Sequence, residues 1–191
     1  MSPEMWVMLK PAEAYSGLAR LPVDDRKWLL LRRPLFVAFI LGCTISLITS
    51  GRITARLAGP ATLYWTFVPL SEIAALVALW WGRRQIVSLP RAVDLFFMSH
   101  GPWSLWLIGM AIMWSFFDPI RTYGGPNLIW LDGAGVAVMV WSGYIDYCFF
   151  QRIFGRSSTQ AAGDVLLQRL ISWSLILLIF GGGSLWEEIG L

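Results

Sequence analysis

Charge is scarce in this chain. Only 14% of its 191 residues are Asp, Glu, Lys or Arg, against about 25% in a soluble domain, and 57% are hydrophobic. The mean hydropathy is +0.61. A soluble globular enzyme is therefore excluded as the natural reading. Histidine is scarcer still: His100 stands alone. One His cannot supply a haem pair, nor complete a zinc site without other ligands. Only two cysteines occur, Cys43 and Cys148, in separate apolar runs, so no zinc or redox spacing exists. The Gly181-Gly182-Gly183 run is followed by no Lys-Ser/Thr and is not a phosphate loop. The first 33 residues hold breaks at Pro3, Pro11, Gly17 and Pro22 and no short apolar core, so no cleavable signal is expected. No catalytic residue, metal ligand or cofactor motif emerges.

Long apolar runs are what the chain has. At about 20 residues per span, they predict an all-α, polytopic transmembrane bundle of five helices, near 34–50, 60–82, 95–117, 133–150 and 170–186. Residues 1–33 read as a cytoplasmic pre-membrane segment. Within it, Asp24 to Arg33 suits either an interfacial helix or a plain lead-in to the first span. Twelve Trp are present. Those near span ends fit headgroup anchoring, whereas Trp106 and Trp114 lie deeper and read as packing residues.

The second run, Leu57 to Gly82, is apolar except for Glu72. A charge at a helix centre costs roughly 2.5–3.5 kcal/mol on insertion scales, and each large aliphatic or Phe returns about 0.3–0.6. Eight such residues between Ala61 and Trp81 return roughly 2.4–4.8 kcal/mol. The span therefore inserts, with Glu72 facing the bundle interior or a wet cavity rather than lipid. Pro69, three residues earlier, frees a carbonyl and predicts a kink. Ser71 and Ala75 begin a small-residue strip beside Glu72, and Ala38, Gly42, Ser46 and Ser50 recur at four-residue steps in the first span. Both read as helix-packing seams.

His100 sits in Ser99-His100-Gly101-Pro102, near the start of the third span, where Gly and Pro predict a break. Two readings stand: a histidine hydrogen-bonded near the membrane boundary, or a proton-handling partner of Glu72. Asp146 also has two: snorkelling toward the interface beside Arg152, or a polar functional site. Glu72, His100 and Asp146 are the polar intramembrane candidates.

The basic residues alternate by loop. Twelve of the fifteen Lys and Arg fall in the N-terminal segment and in the loops after the second and fourth spans. Only Arg52, Arg56 and Arg121 face the other way. By the positive-inside rule the N-terminus is cytoplasmic and the C-terminus outside. The bases lie between apolar runs, which is membrane topology and not a nucleic-acid surface.

This layout, with FMSHGPWSL over Phe97 to Leu105, resembles the Yip1-like families. Their bacterial members lead into the central span with small residues, Pro and then aliphatics. The Asp-Leu-Tyr-Gly-Pro element of eukaryotic members is absent. The resemblance implies a non-enzymatic protein acting through partners or lipids. The expected function is a scaffold or accessory subunit of a membrane complex, partnered by the bilayer and by other subunits or copies of itself, in the bacterial inner membrane. The alternatives are a small proton-coupled transporter using Glu72, His100 and Asp146, with Arg52 or Arg56 at its outer mouth, and an intramembrane lipid-acting enzyme.

Overall fold

The computed structural model describes residues 2–21, 26–82, 86–116 and 127–189, and for 116, 127–132 and 180–189 the backbone alone. The loop bases Arg83, Arg84 and Arg121, the acids Asp24 and Asp25, the surroundings of the triple glycine and the side chains of Glu187 and Glu188 lie outside that description.

The described residues are helical throughout: α1 Pro3–Leu9, α2 Pro11–Leu18, α3 Leu29–Ser50, α4 Ala55–Trp65, α5 Phe67–Trp81, α6 Leu89–Phe96, α7 Gly101–Phe116, α8 Asn127–Arg152 and α9 Ser158–Ile189, with a 3-10 turn Phe97–His100 between α6 and α7. Among the described residues, five stretches are long and apolar enough to cross a membrane: Leu29–Ser50, Ala55–Trp81, Leu89–Ser115, Gly133–Arg152 and Ser158–Ile179. The chain is a membrane-embedded helical bundle. Its outward faces are greasy, with Phe36, Leu63, Leu70, Leu170 and Leu178 exposed.

Four spans begin earlier than hydropathy suggests, the second at Ala55 rather than Pro60. The first starts at Leu29, not Pro34, so Arg32 and Arg33 belong to the helix of the first span itself. Pro34 lies inside α3 rather than at its first position. The third starts at Leu89 instead of Leu95 and the fifth at Ser158 instead of Leu170. At the fifth, Ser157 and Gln160 form a reciprocal cap: Gln160 N–H donates to Ser157 Oγ at 3.4 Å and Ser157 N–H to Gln160 Oε1 at 3.3 Å.

The small-residue seam of α3 is used against α4. A Cβ on Gly42 would lie 2.1 Å from Thr62 Oγ1 and 2.7 Å from both Ala58 O and Thr62 N. Backbone meets backbone there, which only glycine permits. Ala38 and Ser46 are fully buried beside it. Ser46 also staples the turn: its Oγ donates to Arg52 O at 3.1 Å and accepts from Thr54 N–H at 3.0 Å. Ser50 Oγ donates to the same carbonyl at 2.9 Å. Gly51, at φ 68°, ends α3 in the left-handed conformation that glycine tolerates.

The second span is broken at Thr66, between α4 and α5. Pro69 has no N–H to give the Trp65 carbonyl four residues back, which accounts for the interruption. Ser71 and Ala75 are buried on α5, which packs on α9. The strip does not continue, because Ala78 and Gly82 are exposed. Gly101-Pro102 has the analogous effect in the third span. Pro102 cannot donate to Met98 O, and a 3-10 turn separates α6 from α7.

Residues 2–21 pack into the bundle. Val7, Ala14 and Tyr15 are fully buried in the same core as Phe96, Phe149, Phe150 and Phe154. Tyr15 Oη donates to Leu95 O at 3.2 Å, and Trp141 Nε1 donates to Met8 O at 3.0 Å. Burial, and then the nearby negative charge of Asp146, push the Tyr15 hydroxyl well above its usual pKa, so it stays a donor. Arg33 ties α1 to the bundle through Glu4, Nη2 to Oε1 at 2.6 Å. Burial raises the Glu4 carboxyl, but hydrogen bonds from Arg33 and the backbone, with the Arg33 charge, outweigh it and hold its pKa below the usual value.

Candidate functional site

The three polar candidates are brought to one place. Glu72 comes from α5, His100 from the turn before α7, and Asp146 from α8. All three line a single cavity of about 240 Å³, together with Ser99, Ser142 and Arg169.

His100 Nε2 lies 2.6 Å from Glu72 Oε2. Their side chains are 13% and 20% exposed, so the contact is largely shielded. The imidazole stacks on Phe97, with centroids 4.6 Å apart and planes at 17°. Phe96 meets it edge-on at 5.8 Å. Two rings and one carboxylate thus fix the histidine. Its placement follows from Gly101-Pro102, since the 3-10 turn those residues impose turns His100 toward α5. The contact that the second reading of His100 requires, with Glu72, is present. With the span starting at Leu89, eleven residues precede it, which is about 16 Å at 1.5 Å per residue.

Asp146 is 3% exposed and does not reach for Arg152. Its partner is Arg169 on α9, Nη2 to Oδ2 at 2.7 Å. The cation beside Asp146 is thus Arg169 of the next span and not Arg152 of its own helix. Arg169 Nη2 also donates to Ser142 Oγ at 3.0 Å, and Trp103 Nε1 donates to the same hydroxyl at 3.0 Å. Ser142 and Asp146, one helical turn apart, form a two-residue platform for the guanidinium.

Ser99 stands between the two pairs. Its Oγ is 3.5 Å from His100 Nδ1, and it lies within interaction range of the Asp146 carboxylate. The polar side chains thus follow one another from Glu72 through His100 and Ser99 to Asp146 and Arg169, across four spans. Asp146 lies about 9 Å from the Arg152 end of its helix, and Glu72 about 14 Å from the Trp81 end, at 1.5 Å per residue.

The chemistry open to this arrangement is proton movement. Glu72 and His100 can hold one proton between them. Carboxylic acid with neutral imidazole and carboxylate with imidazolium differ only in its position along a 2.6 Å contact. The Arg169 guanidinium keeps Asp146 compensated. The cavity is smaller than the roughly 300–1,000 Å³ of small-molecule pockets. At about 30 Å³ each, several waters or one small solute fill it. Among the described residues no three His, Cys, Asp or Glu gather as metal ligands would. Cys43 and Cys148 are both free.

Sequence reasoning missed Arg169, which it placed in a loop, and a second cluster at the Arg32 end of α3. There Asp94 of α6 accepts from Arg32 at 2.7, 2.9 and 3.1 Å and pairs with Arg33. Arg32 and Arg33 beside an acidic residue in the next run of opposite sign would have been the only hint.

Comparison of the chain with family models, with curated proteins and with solved structures finds no match in any of the three.

Proposed function

We propose that the chain is a small proton-coupled permeation protein, its path running along Glu72, His100, Ser99 and Asp146. The observation that supports this most is the meeting of titratable side chains from four spans on one cavity. Ionisable groups in a bilayer are costly and mark ion or proton pathways. A chain that needed only packing would gain nothing from four. The scaffold reading drew its support from small-residue faces, and the main one is occupied by the chain's own α4. The Yip1-like resemblance goes with that scaffold reading. In orientation, the basic loops favour a cytoplasmic N-terminus and an outside C-terminus in a bacterial inner membrane.

Flux is the test. Purified protein in liposomes with a trapped pH dye and an imposed potassium diffusion potential should carry protons. Glu72→Gln should reduce the rate at least tenfold while the helical signal is unchanged. Equal flux in the variant, or none above empty liposomes in the wild type, overturns the reading.

A further inference from the structure

A groove runs between α3 and α7 under a roof made by α1. The two helices run the same way. Arg32 and Arg33 at the start of α3 meet Asp94 shortly before α7, and Ser115 Oγ near the end of α7 donates to Leu47 O of α3 at 2.9 Å. Arg33, Val37 and Ile40 line the groove from α3, and Gly101, Leu105 and Ile108 from α7. Both sets follow helical spacing, so each is one face, about 10 Å long at 1.5 Å per residue. Met8 seats the roof, since a Cβ on Gly101 would lie 2.4 Å from its Sδ. The space is about 680 Å³, within the roughly 300–1,000 Å³ of ligand sites. Phe36, Leu105 and Ile108 at its rim are exposed, and in a membrane such faces meet acyl chains.

The charged groups gather at one end. Glu4 and Arg32 both line the groove there, with side chains 48% and 39% exposed. The Arg32 guanidinium lies 4.7 Å from the Trp28 ring, itself exposed. A Trp beside basic residues at the start of a span belongs at headgroup level. The groove therefore leads from the headgroups into hydrocarbon, as a phospholipid lies. Charge selects the headgroup. Arg32 and Arg33 are matched by Asp94 and Glu4, so this cluster carries no net charge that would favour an anionic lipid. It offers instead an accessible cation beside an accessible carboxylate. Asp94 takes Nε and Nη2 of Arg32, and Nη1 carries two further N–H groups. Arg33 donates to Oε1 of Glu4, and Oε2 is a second acceptor. A phosphate accepts from the arginine, and an ammonium bearing N–H groups donates to the carboxylate. A quaternary ammonium has no proton to give. We infer that the groove binds one phosphatidylethanolamine-type phospholipid, its phosphate at Arg32, its primary ammonium at Glu4 and an acyl chain between α3 and α7. This goes beyond the permeation reading and does not depend on it.

Native mass spectrometry of the delipidated full chain, titrated with dioleoyl phosphatidylethanolamine, phosphatidylcholine and phosphatidylglycerol, tests it. One phosphatidylethanolamine per chain should bind saturably, at least tenfold more tightly than either of the others. Glu4→Gln should erase the preference over phosphatidylcholine. If that variant also loosens α1, Leu105→Trp keeps the roof intact, fills the groove from an exposed position and should weaken phosphatidylethanolamine binding at least tenfold. Phosphatidylglycerol or phosphatidylcholine binding as tightly, unchanged binding in Leu105→Trp, or a dimer of the chain in place of the lipid complex would each overturn the inference. The readout is lipid mass and not flux, so a failure here leaves the proton pathway standing, and a chain that carries no protons can still pass this test.

Discussion

Asp146 and Arg169 show what a residue costs and what its partner returns. Removing one member of a buried ion pair leaves the other uncompensated, at roughly 3–5 kcal/mol, whereas replacing both with apolar residues of similar size is near neutral. Asp146→Leu should therefore lower the unfolding midpoint sharply in detergent. The Asp146→Leu/Arg169→Met double variant should recover most of it and still transport nothing. A double variant with normal flux would make the pair structural. The same residues explain what the sequence concealed. Hydropathy averages weigh each charge as a cost and cannot see that Arg169 is matched by Asp146, or Asp94 by Arg32 and Arg33. Each of those charges pushed a predicted helix boundary the wrong way. Glu72 and His100 were legible because each is the odd residue in an apolar or Gly-Pro setting. Their contact, 28 positions apart, was open as one of two readings and was fixed by the fold.

Elements here are shaped by single residues. Pro69 and Pro102 each interrupt a span next to a site residue, and these breaks were readable because a missing N–H acts locally. The α3 seam was readable from its four-residue period, but its partner was not, since small faces do not specify which helix they accept. Gly42 carries the consequence. Gly42→Ala should destabilise by about 1–3 kcal/mol, as overpacking does, because the added carbon meets backbone atoms of Ala58 and Thr62 as well as the Thr62 hydroxyl. Adding Thr62→Ala should recover only part. Gly109→Ala, with nothing within 4 Å, should be neutral or stabilising by about 0.5–1 kcal/mol. Denaturation midpoints of the three variants in one detergent check this, and equal effects at Gly42 and Gly109 would deny the close approach.

At the scale of the molecule, five spans and a docked N-terminal pair of helices make one bundle. The count of spans was legible because hydrophobic length is a strong signal. The docking of α1 and α2 was not: seven- and eight-residue helices broken by Pro3 and Pro11 look like linker until Val7 and Tyr15 are seen in the core. An odd number of spans sends the termini to opposite faces. Reporter fusions at each end should give a cytoplasmic signal at the N-terminus and an outside signal at the C-terminus. Both on one side would require a different number of crossings.

The claim beneath all of this is that Glu72 and His100 share a mobile proton inside the bilayer. Because His100 is the one histidine, nitrogen-15 histidine labelling gives a spectrum with no overlap. In liposomes the ring nitrogens should change with pH between neutral and protonated imidazole signatures, exchange with water, and shift when Glu72 becomes Gln. A single tautomer, unchanged across pH and identical in Glu72→Gln, would contradict the account.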